Sequence, residues 1–158
     1  GEFGLQSAAD VRAAIELLDL DAVQLSPVAD MEMLTDLQDT VPLIRELIVE
    51  QNTSAEVLAD QIETEHALVA VFLLNFDKNG IAWSDILSGT VLSADILKEL
   101  TWQYPIMLSL DLRPDDLEEI LELLRPAGLS FRGGEEEKVG FKSFDELDAL
   151  FEQLEVQV

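Results

Sequence analysis

The sequence predicts an α+β protein: a helical bundle over residues 7–103, followed by a small β-α-β-β-α(-β) unit of ferredoxin-like order over residues 104–158. Three observations predict it. Apolar residues recur at steps of three and four through the first two thirds of the chain. After Tyr104-Pro105 the period drops to two. And 48% of the chain is hydrophobic, enough for a packed core despite a formal charge of −24 on 158 residues.

Residues 1–6 are set apart, because Gly1-Glu2-Phe3 resembles a cloning remnant ahead of a disordered start. Ser7 then has the chemistry of a helix N-cap, with Asp10 three residues on. Val11, Ile15, Leu18, Ala22 and Leu25 form one stripe behind it. Ser26-Pro27 suits a fresh helix start. Leu34, Leu37, Val41, Ile44 and Ile48 keep one phase across Pro42, which predicts a kinked helix. Asn52-Thr53-Ser54 with Glu56 opens another helix, read as continuing to Phe76. Its apolar run over 67–74 suits the centre of a bundle. Asp77-Lys78-Asn79-Gly80 ends it. Two shorter helices follow near 81–88 and 94–103, the second capped by Ser93.

Beyond Pro105, Ile106, Leu108, Leu110 and Leu112 alternate with Met107, Ser109 and Asp111, which predicts a strand. Arg113-Pro114-Asp115-Asp116 opens a helix with apolar face Leu117, Ile120, Leu121 and Leu124. Arg125-Pro126-Ala127-Gly128 stops it. Residues 129–132 and 138–142 read as strands around a turn at 133–137. Ser143 and Glu146 make a capping box for a last helix lined by Leu147, Leu150, Phe151 and Leu154. Residues 156–158 suit a short final strand.

Function is read largely by exclusion. The chain holds 33 acidic and 9 basic residues, which disfavours phosphate backbones and anionic membranes. Both parts are acidic, −15 over residues 1–103 and −9 over 104–158. There is no cysteine, so thiol chemistry and thiolate metal sites are excluded. His66 is the single histidine; with Glu63 it gives half of a two-metal Glu-x-x-His site and no second half. Asp77-Lys78-Asn79-Gly80 places its glycine two residues early for a calcium loop. Gly133-Gly134 is followed by Glu135, Glu136 and Glu137, which repel phosphate.

No catalytic, metal or cofactor motif is complete. The chain therefore reads as a non-enzymatic, cytoplasmic interaction protein: an adaptor, inhibitor or regulatory subunit. Its acidic surface would engage a protein partner, a basic one by charge. The expected contact residues are Asp115, Asp116, Glu118, Glu119 and Glu122 on one helix, with Glu135, Glu136 and Glu137 on the turn. The stripes at 11–25 and 34–48 also suit a homodimer. The alternative is a small-molecule sensor, binding a metabolite at the C-terminal unit or at the junction marked by Trp102 and Tyr104.

Overall fold

The computed structural model describes residues 1–131, 136–138, 141–142 and 148–152, with 136–138 and 141–142 described by backbone alone. Its organising unit is a strand followed by a helix. In chain order the elements are β1 (Glu2–Phe3), α1 (Ala8–Leu18), β2 (Val23–Leu25), α2 (Met31–Leu37), β3 (Leu43–Ile48), α3 (Ala55–Glu65) and β4 (Val71–Asn75). Then come α4 (Trp83–Leu87), α5 (Ala94–Gln103), β5 (Ile106–Ser109), α6 (Leu117–Leu124) and β6 (Gly128–Leu129). Two short strands, β7 (Glu136–Lys138) and β8 (Phe141–Lys142), form a separate antiparallel pair. Residues 148–152 are helical.

β1 to β6 form one sheet whose spatial order is the chain order, with every neighbouring pair parallel. Right-handed crossovers advancing one strand at a time lay all the helices on one face. The other face is left to curve on itself, which is the winding of a (β/α) barrel.

This overturns the expected architecture. One parallel α/β sheet replaces both the helical bundle and the ferredoxin-like unit, and it runs through position 103/104, where β4 pairs with β5. The error arose in the apolar stripes. The stripe over 11–25 is helix only as far as Leu18, because Asp19 turns left-handed at φ 51°; Val23 and Leu25 belong to β2. The stripe over 34–48 is α2 up to Leu37 and β3 from Leu43, with Pro42 immediately before the strand. The second half of the apolar run over 67–74, from Val71 on, is β4, a strand buried on both faces.

The caps behave as the sequence predicts. Ser7, Ser54 and Ser93 accept the backbone N–H of Asp10, Val57 and Ile96 and start α1, α3 and α5. α2 is capped by Asp30 instead of starting at Ser26-Pro27. Glu136 and Glu137, expected in the turn at 133–137, belong instead to the strand β7. The capping box at Ser143 and the strand at 156–158 lie outside the described residues.

The core fills the space between sheet and helices. Phe72, Leu74, Leu43 and Leu108 point into it from the strands, and Val11, Leu34, Ile62, Leu97 and Ile120 from the helices. Alternation along β3 then sends Ile44, Glu46 and Ile48 to the opposite, curved face. Register places Leu73 and Asn75 of β4, and Met107 and Ser109 of β5, on that same face.

Candidate active site

Parallel βα architectures collect functional side chains at the C-terminal ends of their strands, where the loops into the helices converge. In this chain that end holds a charged cluster drawn from β3, β4 and the turn after β4. Glu46 Oε1 accepts two hydrogen bonds, from Asn75 Nδ2 at 2.7 Å and from Lys78 Nζ at 2.7 Å. The Glu46 side chain is 2% exposed and that of Lys78 is 35% exposed. The ammonium therefore sits at the solvent boundary with the carboxylate beneath it.

Local chemistry holds the turn in place. Asn75 Oδ1 accepts the backbone N–H of Lys78 at 3.0 Å, and Asn79 Nδ2 donates to the carbonyl of Val49 at 2.9 Å. Gly80 follows at φ 61° with open space where a Cβ would stand, so backbone conformation, not crowding, asks for glycine there. Ser109, buried at 3%, is the next residue across the sheet, in register with Asn75.

A second buried charge stands beside the first and points the other way. Arg45 donates to Glu65 of α3, Nε to Oε2 at 2.8 Å and Nη2 to Oε1 at 3.3 Å. Its Nη1 donates to the carbonyl of Ser26 at 2.6 Å, in the loop after β2. Arg45 thus ties strand, helix and loop together behind the mouth of the site.

The acids expected to bind a partner lie elsewhere. Asp115, Glu118, Glu119 and Glu122 line a surface groove with Leu123. Two of the five on this segment have internal duties. Glu119 Oε2 accepts the indole N–H of the buried Trp83 at 2.9 Å. Asp116 receives Arg113 Nη2 at 2.9 Å and Nε at 3.1 Å. That guanidinium holds the Asp116 carboxyl below its ordinary 3.8, and the same bond raises Arg113. Asp115, Glu118 and Glu122 are exposed. Glu136 and Glu137 fall in β7, and Glu135 lies outside the described residues.

His66 and Tyr104 meet edge to face at 5.5 Å between ring centroids, at the C-terminal ends of α3 and α5. Trp102, which marks the expected junction, stands at the surface. It is 55% exposed, with Lys98 Nζ 4.7 Å and Arg125 Cζ 5.2 Å from its ring centre.

Glu46, Asn75, Lys78 and Ser109 were not singled out as site residues from the sequence. One signal was present: Arg45-Glu46 interrupts the apolar run Leu43-Ile44…Leu47-Ile48-Val49, and buried charges are rare without a purpose.

Residues 1–153 match the family described as N-(5′-phosphoribosyl)anthranilate (PRA) isomerase. The chain belongs to that family. N-(5′-phosphoribosyl)anthranilate isomerase of Dehalococcoides mccartyi is 27% identical over 139 residues, covering 86% of this chain. The chain spans 61% of the length of that relative. Phosphoribosyl anthranilate isomerase of Thermus thermophilus superposes with a TM-score of 0.69 at 26% identity, covering 100% of this chain and 72% of that one. A phosphoribosyl anthranilate isomerase solved in complex with reduced 1-(o-carboxyphenylamino)-1-deoxyribulose 5-phosphate superposes at 0.66 with 20% identity, covering 99% of this chain and 70% of that one.

Membership in an isomerase family overturns the reading as a non-enzymatic adaptor, inhibitor or regulatory subunit, and with it the sensor alternative. The physical reason for the error is the missing architecture. A search for local motifs finds nothing when a site is assembled from the ends of separate strands. No helix among the described residues is long and apolar enough to cross a membrane.

Proposed function

We propose that this chain isomerises N-(5′-phosphoribosyl)anthranilate to 1-(o-carboxyphenylamino)-1-deoxyribulose 5-phosphate at the C-terminal mouth of its parallel sheet. The match of residues 1–153 to the isomerase family carries this reading. The product follows from the compound bound to a structural relative, which is its reduced form. The two molecules are isomers. The sugar ring opens, a hydrogen leaves C2, a hydrogen arrives at C1, and C2 becomes a carbonyl. Such a reaction needs proton donors and acceptors held against the sugar carbons, with no net redox change. The Glu46–Asn75–Lys78 cluster supplies titratable groups at the expected end of the strands. A cytoplasmic location suits a small phosphorylated substrate of this kind.

The substrate carries a phosphate and a carboxylate, while the chain carries −24. Approach is therefore opposed by the mean field and favoured by screening. The test is direct: purified chain incubated with freshly made phosphoribosylanthranilate, with the deoxyribulose product quantified by chromatography. Product formation well above the uncatalysed rate, with kcat/KM rising with ionic strength, is the expected result. Product at the background rate under saturating substrate would refute the proposal.

A further inference from the structure

Independently of the isomerase reading, we infer that the outer surface of α5 and α6 docks a second copy of this chain about a two-fold axis, with Glu122 of each copy meeting Arg125 and Lys98 of the other. Two cations kept away from carboxylates lead there. Arg45, Lys78 and Arg113 each meet an acid. Lys98 and Arg125 are in no salt bridge among the described residues. Both lie over the Trp102 ring, Lys98 Nζ at 4.7 Å and Arg125 Cζ at 5.2 Å from its centre. In a chain of 33 acidic and 9 basic residues, cations stacked on an indole instead of an acid stay available to an outside carboxylate. Trp102 is 55% exposed, so the indole faces solvent with them. Exposed tryptophan beside arginine is the composition of an interface anchor. The backbone agrees. Arg125 closes α6 in the left-handed region at φ 48°, a position that favours glycine or asparagine. An arginine there is explained by its side chain, not by its backbone.

Charge complementarity asks for an acidic partner, and the chain itself supplies one. Asp115, Glu118, Glu122 and Arg125 are exposed and follow at steps of three and four, along one side of α6 and the turn before it. That stripe is acidic where it begins and basic where it ends, and Lys98 and Trp102 of α5 join its basic end. A stripe with this polarity is self-complementary. Two copies laid antiparallel about an axis at the half-buried Leu123 bring Glu122 of each to Arg125 of the other. The net charge of −24 on each copy opposes the approach at low ionic strength. Near physiological salt the screening length is about 8 Å, which removes the long-range repulsion and leaves pairs in contact. At about 1 M the contacts weaken as well. Association should therefore peak at intermediate salt.

Sedimentation equilibrium of the whole chain at about 0.01, 0.15 and 1 M NaCl tests this. The mass should rise from 17.5 kDa toward twice that value at the middle concentration. Trp102→Ala should weaken association about tenfold or more. Arg125→Glu and Glu122→Arg should each be monomeric, because each sets like charges against one another across the axis. An equal mixture of these two variants should form dimers again, since both cross-axis pairs become unlike. Both positions are exposed, so the melting temperatures should stay near wild type; where a charge variant does not fold, Trp102→Ala decides. A wild-type chain that stays monomeric at all three salt concentrations, up to about 1 mM chain, overturns the proposal. A dimer that survives both single variants places the contact elsewhere and overturns it too. Folded single variants whose mixture stays monomeric refute the two-fold pairing. A monomer whose Trp102 emission is quenched by hexaglutamate assigns the patch to a separate acidic partner and overturns the second copy.

Discussion

Replacing Arg45 by methionine tests how the outer layer is held to the sheet. Arg45 is 2% exposed and its partner Glu65 is 6% exposed, so the pair is desolvated on both sides. Removing the guanidinium leaves the Glu65 carboxylate with one hydrogen bond, from Gln61 Nε2 at 3.0 Å. It also strips the Ser26 carbonyl of its 2.6 Å donor. Breaking a buried pair from one side costs about 3–5 kcal/mol, because the survivor stays charged in a poor dielectric. A domain of this size has a total stability of roughly 5–15 kcal/mol. At about 3 °C per kcal/mol the melting temperature should drop by roughly 9–15 °C.

Urea unfolding followed by tryptophan fluorescence reads this out, since Trp83 is 1% exposed and reports on the core. The double variant Arg45→Met with Glu65→Leu is the control. With both charges gone, most of the loss should be recovered, because two apolar groups satisfy each other where a lone carboxylate does not. An Arg45→Met loss below about 1 kcal/mol would place the pair in the class of exposed bridges and refute the reasoning. A double variant as unstable as the single one would do the same.

Three further outcomes are expected. Moderate salt should raise the melting temperature at neutral pH, because a chain of charge −24 repels itself and screening relieves it; a fall on adding salt would mean attractive pairs dominate. The Asp116 carboxyl should titrate below 3.8 by carbon-detected NMR, and return toward that value in Arg113→Ala. Because its folded pKa is depressed, its contribution to stability is present above 3.8 and is lost as pH falls through the folded value. Ser93→Ala should cost about 1 kcal/mol by releasing the Ile96 N–H at the start of α5, and calorimetry showing no change would assign that N–H to water.

Most helix starts were legible in the sequence, and the strands β2, β3 and β4 were not. Ser7, Ser54 and Ser93 announce their helices by a local hydrogen bond that needs no tertiary partner. β5 showed its alternation. β3 and β4 concealed theirs, because strands buried on both faces need no polar side. Leu34, Leu37, Val41, Ile44 and Ile48 then mimic a helix stripe, although the first two belong to α2 and the last two to β3. The site was hidden for a related reason. Glu46 and Lys78 are 32 residues apart, joined only by two strands lying side by side. The acids of the α6 segment were conspicuous by density, yet two of them serve Trp83 and Arg113.

The placement of the basic residues explains how so acidic a chain keeps a buried interior. Four bases occur in residues 1–103: Arg12, Arg45, Lys78 and Lys98. Two of them, Arg45 and Lys78, pair with Glu65 and Glu46, the two glutamates buried among the described residues. Cations are thus placed where burial requires a counter-charge, while exposed carboxylates rely on water. The alternation of β3 then divides the labour between neighbours. Arg45 faces the helices and fixes the fold, and Glu46 faces the curved side and the strand ends. The two substitutions should therefore separate. Arg45→Met should lower stability, while Glu46→Gln, which keeps an acceptor for Asn75 and Lys78, should melt near the wild-type temperature. If both variants lost stability equally, the two faces of this strand would share one structural role, and the division drawn from its alternation would fail.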